Sequence, residues 1–182
     1  HYYDNGEYRQ FEGYCTDVWF NEAESFIDKN KENPFFCYIA TNAPHGPLYV
    51  EDKYSNQYKG DTLIPSARFY GMITSIDENI GKLRSYLKEQ QLDRNTIIIF
   101  TTDNGTANGV IVDGNWSNGL PTVYGYGAGM HGRKGSPYDG GHRVPCFIHW
   151  PSGGLGEGLD FDGLTAHIDM LPTLMEMCGL ER

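Results

Sequence analysis

The chain has no C-x-x-C pair, no apolar run approaching the length of a membrane span, and no excess of Lys and Arg. The missing C-x-x-C pattern argues against a thiolate metal centre or a redox motif, so the widely spaced Cys15, Cys37, Cys146 and Cys178 are expected as buried thiols. The lack of a long apolar run leaves no transmembrane helix to expect. A formal net charge of -10 excludes a general nucleic-acid or membrane-surface binder, because phosphate backbones are held by an excess of cations. His1 to Glu7 contain no basic and apolar leader, so any export signal is expected outside this sequence.

What is present is an ordinary globular composition, with 39% apolar and 14% aromatic residues over 182 positions, enough for one domain with a core. Val18, Ala23, Phe26 and Ile27 recur at helical spacing, which predicts a helix over 17–30 that Asn33-Pro34 stops. Residues 35–40 are a short continuous apolar run and predict a strand covered on both faces. Phe69, Ile73, Ile76, Ile80, Leu83 and Leu87 step by three or four, so a helix over 65–90 should pack on the sheet. The β-branched run 96–102 and the apolar run 144–150 predict two more strands, the latter with Pro145 near its start. A last helix over 169–178, with Asp169 as its cap, should turn Leu171, Leu174 and Met175 inward and close at Gly179. Between the last two strands, 103–143 holds 11 of the 23 glycines and is too long and irregular for a simple connector. Helices alternating with strands indicate a layered α/β sheet.

Three places could carry chemistry. Asp103 and Asn104 follow the 96–102 strand at its carboxyl end, where open α/β sheets build their sites. A carboxylate beside an amide offers two hard oxygen donors, suited to calcium or magnesium more than zinc, although Asn-Gly is also a common tight turn. His45 lies in Ala43-Pro44-His45-Gly46-Pro47, just past the 35–40 run, where it could donate to an anionic oxygen or merely cap a turn. Lys134 sits between glycines in a locally cationic stretch with His131, Arg133, His142 and Arg143, opposed only by Asp139, which makes a possible anion seat. Asp139 and Arg143 could instead pair with each other. Gly140 and Gly141 should shape a turn into the third strand, and Trp116, Tyr124 and Tyr126 could form a sugar platform or simply fix the loop.

Segments 13–47, 70–105, 132–151 and 167–179, taken in that order, resemble the sulfatase family of the alkaline-phosphatase superfamily. They contain NAPHGP, IIIFTTDNG, GRKGSPYDGGHRVP and HIDMLPTLMEMCG. The resemblance implies a layered helix-sheet-helix fold, alkaline-phosphatase-like, with a mostly parallel or mixed sheet, present here as a partial domain. It implies that Asp103 and Asn104 are half of a Ca2+ site whose other acidic ligands lie outside this sequence, with Asp103 also helping to activate the nucleophile. It implies that His45 contacts the sulfate and the ester oxygen. Lys134 would hold sulfate and help to protonate the leaving alcohol.

The family nucleophile is a formylglycine made in a C-x-P-S-R type motif, and none of the four cysteines stands in one. The chain is therefore expected to be an internal part of a sulfatase, the central part of its catalytic domain, with 103–143 as the active-site loop region. By itself it should be inactive, hold calcium weakly or not at all, and expose an apolar edge that favours self-association. The family also implies a periplasmic or secreted location, and a sulfated small molecule or glycan as substrate. Two rival readings are a zinc-dependent phosphodiesterase or phosphomonoesterase of the same superfamily and a non-catalytic carbohydrate-binding module. Asn104 argues against the first, because a soft metal would favour His there.

Overall fold

The structure, a computed structural model, describes residues 2–107, 111–117, 120–123, 127–156 and 158–181, with 111–117 and 120–123 described by backbone alone. A small hairpin opens the chain, β1 (Tyr2–Asp4) pairing antiparallel with β2 (Glu7–Arg9). Its turn is Asn5-Gly6, both with positive φ, the backbone that a tight hairpin requires. The predicted first helix is α1 (Cys15–Asn30), which buries Val18, Phe20, Ala23 and Ile27. Phe26 lies on its outer side and meets Phe35 edge-on at 6.4 Å.

Next come a short α2 (Asp52–Ser55) and the long α3 (Ala67–Glu89). The α3 helix begins two residues later than Pro65, because Ser66 supplies the cap, its hydroxyl accepting from the Phe69 N–H at 3.3 Å. Its main packing partners are α1 and α2 rather than a sheet. The buried stripe is consequently Phe69, Met72, Ile76 and Leu87, with Gly71 and Ser75 beside it, while the expected Ile73 faces outward at 42% exposure. Gly71 is where α2 crosses, and a Cβ there would stand 3.0 Å from the Ser55 Cα. Ala43, Val50, Tyr54, Met72 and Ile76 form one core cluster, so the loop after residue 41 is anchored in the same core as the helices.

Helices alternate with strands as the sequence suggests, and the described strands form three two-stranded antiparallel sheets. β3 (Ile98–Thr101) and β6 (Cys146–His149) are antiparallel neighbours, with Phe100 opposite Phe147 and their rings stacked at 6.2 Å. Residues 35–41 are not a strand, because no segment among the described residues pairs with them. They keep a strand-like alternation, with Phe36 78% and Tyr38 81% exposed, so the expected cover on both faces is absent. A second hairpin, β4 (Ile111–Ser117) with β5 (Leu120–Val123), gives regular backbone to part of the glycine-rich segment read as irregular.

After the single helical turn α4 (Asp139–His142) and β6, the last helix is α5 (His167–Met177). Asp169 holds its start from inside the first turn, its carboxylate accepting from the Ala166 N–H at 2.7 Å. The helix closes as expected at Gly179, in left-handed backbone, with Leu180 N–H donating to Met175 O and Gly179 N–H to Glu176 O. Leu171, expected inward, is exposed, and no residue of this helix is buried, since no described element covers its apolar face. The buried-thiol expectation fails for Cys146 and Cys178, which are exposed, each on an element with an uncovered face. Cys15 and Cys37 are half-buried, and all four are free. Burial pushes the Cys37 thiol above its ordinary value. No helix among the described residues is long and apolar enough to cross a membrane.

One buried amide joins the two long helices. Asn79, 2% exposed, donates to the Asp17 carboxylate at 2.7 Å and to the Ser75 carbonyl at 2.8 Å. Asn79→Ala should therefore lower unfolding stability by about 1–3 kcal/mol, read from urea denaturation, because it leaves the half-buried Asp17 carboxylate without its donor. A loss below about 0.5 kcal/mol would show that the amide does not hold the helices together.

Candidate functional site

β3 carries the chain to Asp103 and Asn104 at its carboxyl end, as its apolar run predicts. There Asn104 turns back on its neighbour, its amide nitrogen donating to the Asp103 carbonyl at 2.9 Å. That bond leaves Asn104 Oδ1 free to accept, and the exposed Asp103 carboxylate has no described hydrogen-bond or ion-pair partner. Two hard oxygen donors therefore sit side by side, a set that suits calcium or magnesium. They are a partial set, since no group of three or more His, Cys, Asp or Glu among the described residues could hold a metal ion.

The segment after them docks against the cationic loop through two described backbone bonds. Gly105 N–H donates to Gly141 O at 3.0 Å, and Lys134 N–H donates to Thr106 O at 3.0 Å. This contact requires glycine. A Cβ on Gly105 would collide with the Gly140 carbonyl oxygen and stand 2.8 Å from its carbon, and a Cβ on Gly140 would meet the Gly132 carbonyl. Gly140 and Gly141 thus form a flat docking surface within α4, rather than the simple turn into a strand that their dipeptide suggests.

The loop is also fastened internally. Ser136 Oγ accepts from Arg133 N–H at 3.1 Å, Gly140 N–H donates to His131 O at 2.8 Å, and the His131 and Tyr138 rings meet edge-on at 4.3 Å. Arg143 and Asp139 do pair, at 4.0 Å between exposed side chains, which is weak in water. Lys134 is exposed and has no described ion pair, so its ammonium is available to an external anion.

His45 stands on a separate loop. Its N–H donates to Asn42 O at 3.0 Å, and Nδ1 lies 2.9 Å from Gly46 O. A carbonyl can only accept, so Nδ1 carries the proton and Nε2 is the ring nitrogen left for a ligand. No described hydrogen bond, ion pair or ring contact joins His45 to the Asp103–Lys134 junction. The structure therefore brings Asp103, Asn104 and Lys134 together and places His45 on its own support. Side chains that sequence reading passed over are Trp19 and Asn42, joined by a 3.0 Å hydrogen bond. Asn42 was visible as a polar residue beside the His45 loop, whereas nothing in the helical pattern singled out Trp19. Of the aromatic residues weighed as a sugar platform, Tyr124 and Tyr126 lie outside the described residues, as does the Trp116 side chain.

A cleft of about 760 Å³ lies elsewhere, between α1 and α3, lined by Glu24, Asp77, Glu78 and Glu89 with Lys82. Burial raises the Glu24 carboxyl above its usual range, with Lys82 pulling the other way. A cleft so acidic repels an anionic ligand, leaving the Lys134 loop as the electrostatically suitable seat.

The family model described as Sulfatase matches residues 1–180. N-acetylgalactosamine-6-sulfatase of Mus musculus is 31% identical over 172 residues, covering 93% of this chain and 30% of that protein. The uncharacterized sulfatase YdeN of Escherichia coli (strain K12) is 31% identical over 182 residues, covering 98% of this chain and 30% of that protein. Among solved structures, Ps i-CgsB in complex with k-i-k-neocarrahexaose superposes with a TM-score of 0.80 at 33% identity, covering 98% of this chain and 37% of that one. The layered α/β fold is thereby that of the sulfatases. The chain spans about 30% of the length of the curated relatives it matches.

The glycine junction makes a direct prediction. Gly105→Ala should cost about 1–3 kcal/mol, measured by chemical unfolding, because the added methyl meets backbone rather than a movable side chain. Unchanged stability would mean that the two segments are not in contact.

Proposed function

The chain belongs to the sulfatase family, and on that premise we propose that it is the central part of a sulfatase catalytic domain, with 103–143 as the active-site loop region. The reaction is hydrolysis of a sulfate ester of a sugar or aryl alcohol by the whole protein. The observation that supports this reading is the backbone junction of Gly105–Thr106 with Lys134 and Gly141, which brings the Lys134 segment to the one that follows Asp103 and Asn104.

The residues divide the work by chemistry. Asp103 and Asn104 would hold Ca2+, which when bound supplies a Lewis-acid charge that draws electron density from sulfate oxygens. Lys134 brings its ammonium to the anionic ester and offsets the charge that grows on the departing oxygen. His45 already donates from Nδ1 to Gly46 O, so it meets an ester oxygen through Nε2 and does so as a donor only when that nitrogen is protonated. A protonated Nε2 can pass its proton to the leaving alcohol. The nucleophile, a formylglycine by family expectation, comes from residues outside this sequence, since Cys15, Cys37, Cys146 and Cys178 all lack the required surroundings. A sulfated glycan is the favoured substrate, supported by the N-acetylgalactosamine-6-sulfatase relative and by the structural neighbour's complex with k-i-k-neocarrahexaose.

In the whole protein, His45→Ala and Lys134→Ala should each lower kcat/KM about 10²- to 10³-fold, followed as sulfate released from a sulfated oligosaccharide. Wild-type turnover in either variant removes that residue from the mechanism. The 182-residue chain alone should release no sulfate from the same substrate or from an aryl sulfate. Steady turnover by the pure chain would overturn the assignment of the nucleophile to residues elsewhere.

A further inference from the structure

We propose that Trp19 and Asn42 are positioning residues that hold the His45 loop in register with the first long helix. The inference rests on the reading of His45 given above and extends it to side chains that touch no substrate.

Trp19 lies early in α1, between Val18 and Phe20, both buried, so its indole is carried on a part of the helix fixed by the core. Its Nε1–H donates to Asn42 Oδ1 at 3.0 Å across 23 positions of sequence. The carbonyl of the same Asn42 accepts the His45 N–H at 3.0 Å. One residue thus has its side chain tied to the scaffold and its backbone tied to the functional residue. Thr41 Oγ1 donates to Ala43 O at 2.8 Å, and Ala43, 3% exposed, is sunk in the core cluster. Between these ties His45 itself remains exposed and presents its ring outward.

The indole is supported from behind as well. Tyr2 of β1 stands edge-on to Trp19 at 4.9 Å and to Phe11 at 5.7 Å, so the opening hairpin buttresses the tryptophan ring. A hydrogen bond this close to solvent adds little to folding. Its consequence is geometric, because a displacement of about 1 Å at a reacting group can cost about a hundredfold in rate.

The test uses the whole protein and a sulfated oligosaccharide. Trp19→Phe keeps a ring against Tyr2 but loses the N–H. Asn42→Ala loses the acceptor at an exposed site, and Asn42→Asp retains an acceptor oxygen. Trp19→Phe and Asn42→Ala should each lower kcat about tenfold or more while KM stays within about twofold. The double variant should be no slower than the slower single one, and Asn42→Asp should recover most of the rate. Amide hydrogen exchange at His45 should also quicken in Trp19→Phe. If His45→Ala is slow yet Trp19→Phe keeps full kcat, or if the two losses multiply in the double variant, the proposal is wrong. Should the wild type release no sulfate at all, it is the functional reading that fails. Exchange at the His45 amide then decides alone, and unchanged protection in Trp19→Phe refutes the tie.

Discussion

The amide of Asn79 fixes how α1 lies against α3, and the support of the His45 loop depends on that placement. Asp17, which receives one of its bonds, is two residues before Trp19 on α1. Met72 and Ile76, which receive Ala43, lie on α3 with Asn79 itself. The loop is therefore held from one side by a hydrogen bond to α1 and from the other by apolar contact with α3. A polar tie between two helices is more directional than methyl packing, since a slipped helix would leave the Asp17 carboxylate without its Asn79 donor.

The Asp103–Lys134 half of the site is built on a different principle. Its described contacts are main-chain ones, made by atoms that approach because Gly105, Gly132, Gly140 and Gly141 lack Cβ atoms. Among the described residues, Asp103 and Lys134 have no ion-pair partner. Lys134 can keep its charge for a ligand, while Arg143 spends part of its own on Asp139. In a protein carrying a net charge of -10, that local reserve of positive charge is what distinguishes this loop from the acidic cleft between α1 and α3.

Much of this was legible in the linear pattern. The three long helices were readable because apolar residues recur every three or four positions and because Asn33-Pro34 and Gly179 mark boundaries with distinct backbone chemistry. The strands at 98–101 and 146–149 were readable from their apolar runs, but their antiparallel pairing was not, because partner choice depends on residues far away in sequence. Residues 35–41 mislead for the same reason: Phe35 to Ala40 have strand composition, and a strand exists only where another backbone accepts its hydrogen bonds. The hairpin at Asn5-Gly6 was not read, because its flanking strands of three residues are too short and too polar to display an alternation. At the site, Asp103, Asn104, His45 and Lys134 stood out by residue type and neighbours. The contact of Gly105 with Gly140 spans 35 positions, and the Trp19–Asn42 bond spans 23, so neither leaves a local signature.

The two backbone bonds beside Gly105 close the chain on itself like a drawstring. Thr106 and Lys134 meet at one point, and the β4–β5 hairpin lies between them in the sequence. A loop closed at its base can change length and content at small entropic cost, because closure depends only weakly on the number of residues enclosed. The enclosed hairpin can therefore be exchanged for another while the junction at Gly105 and Gly141 keeps its shape.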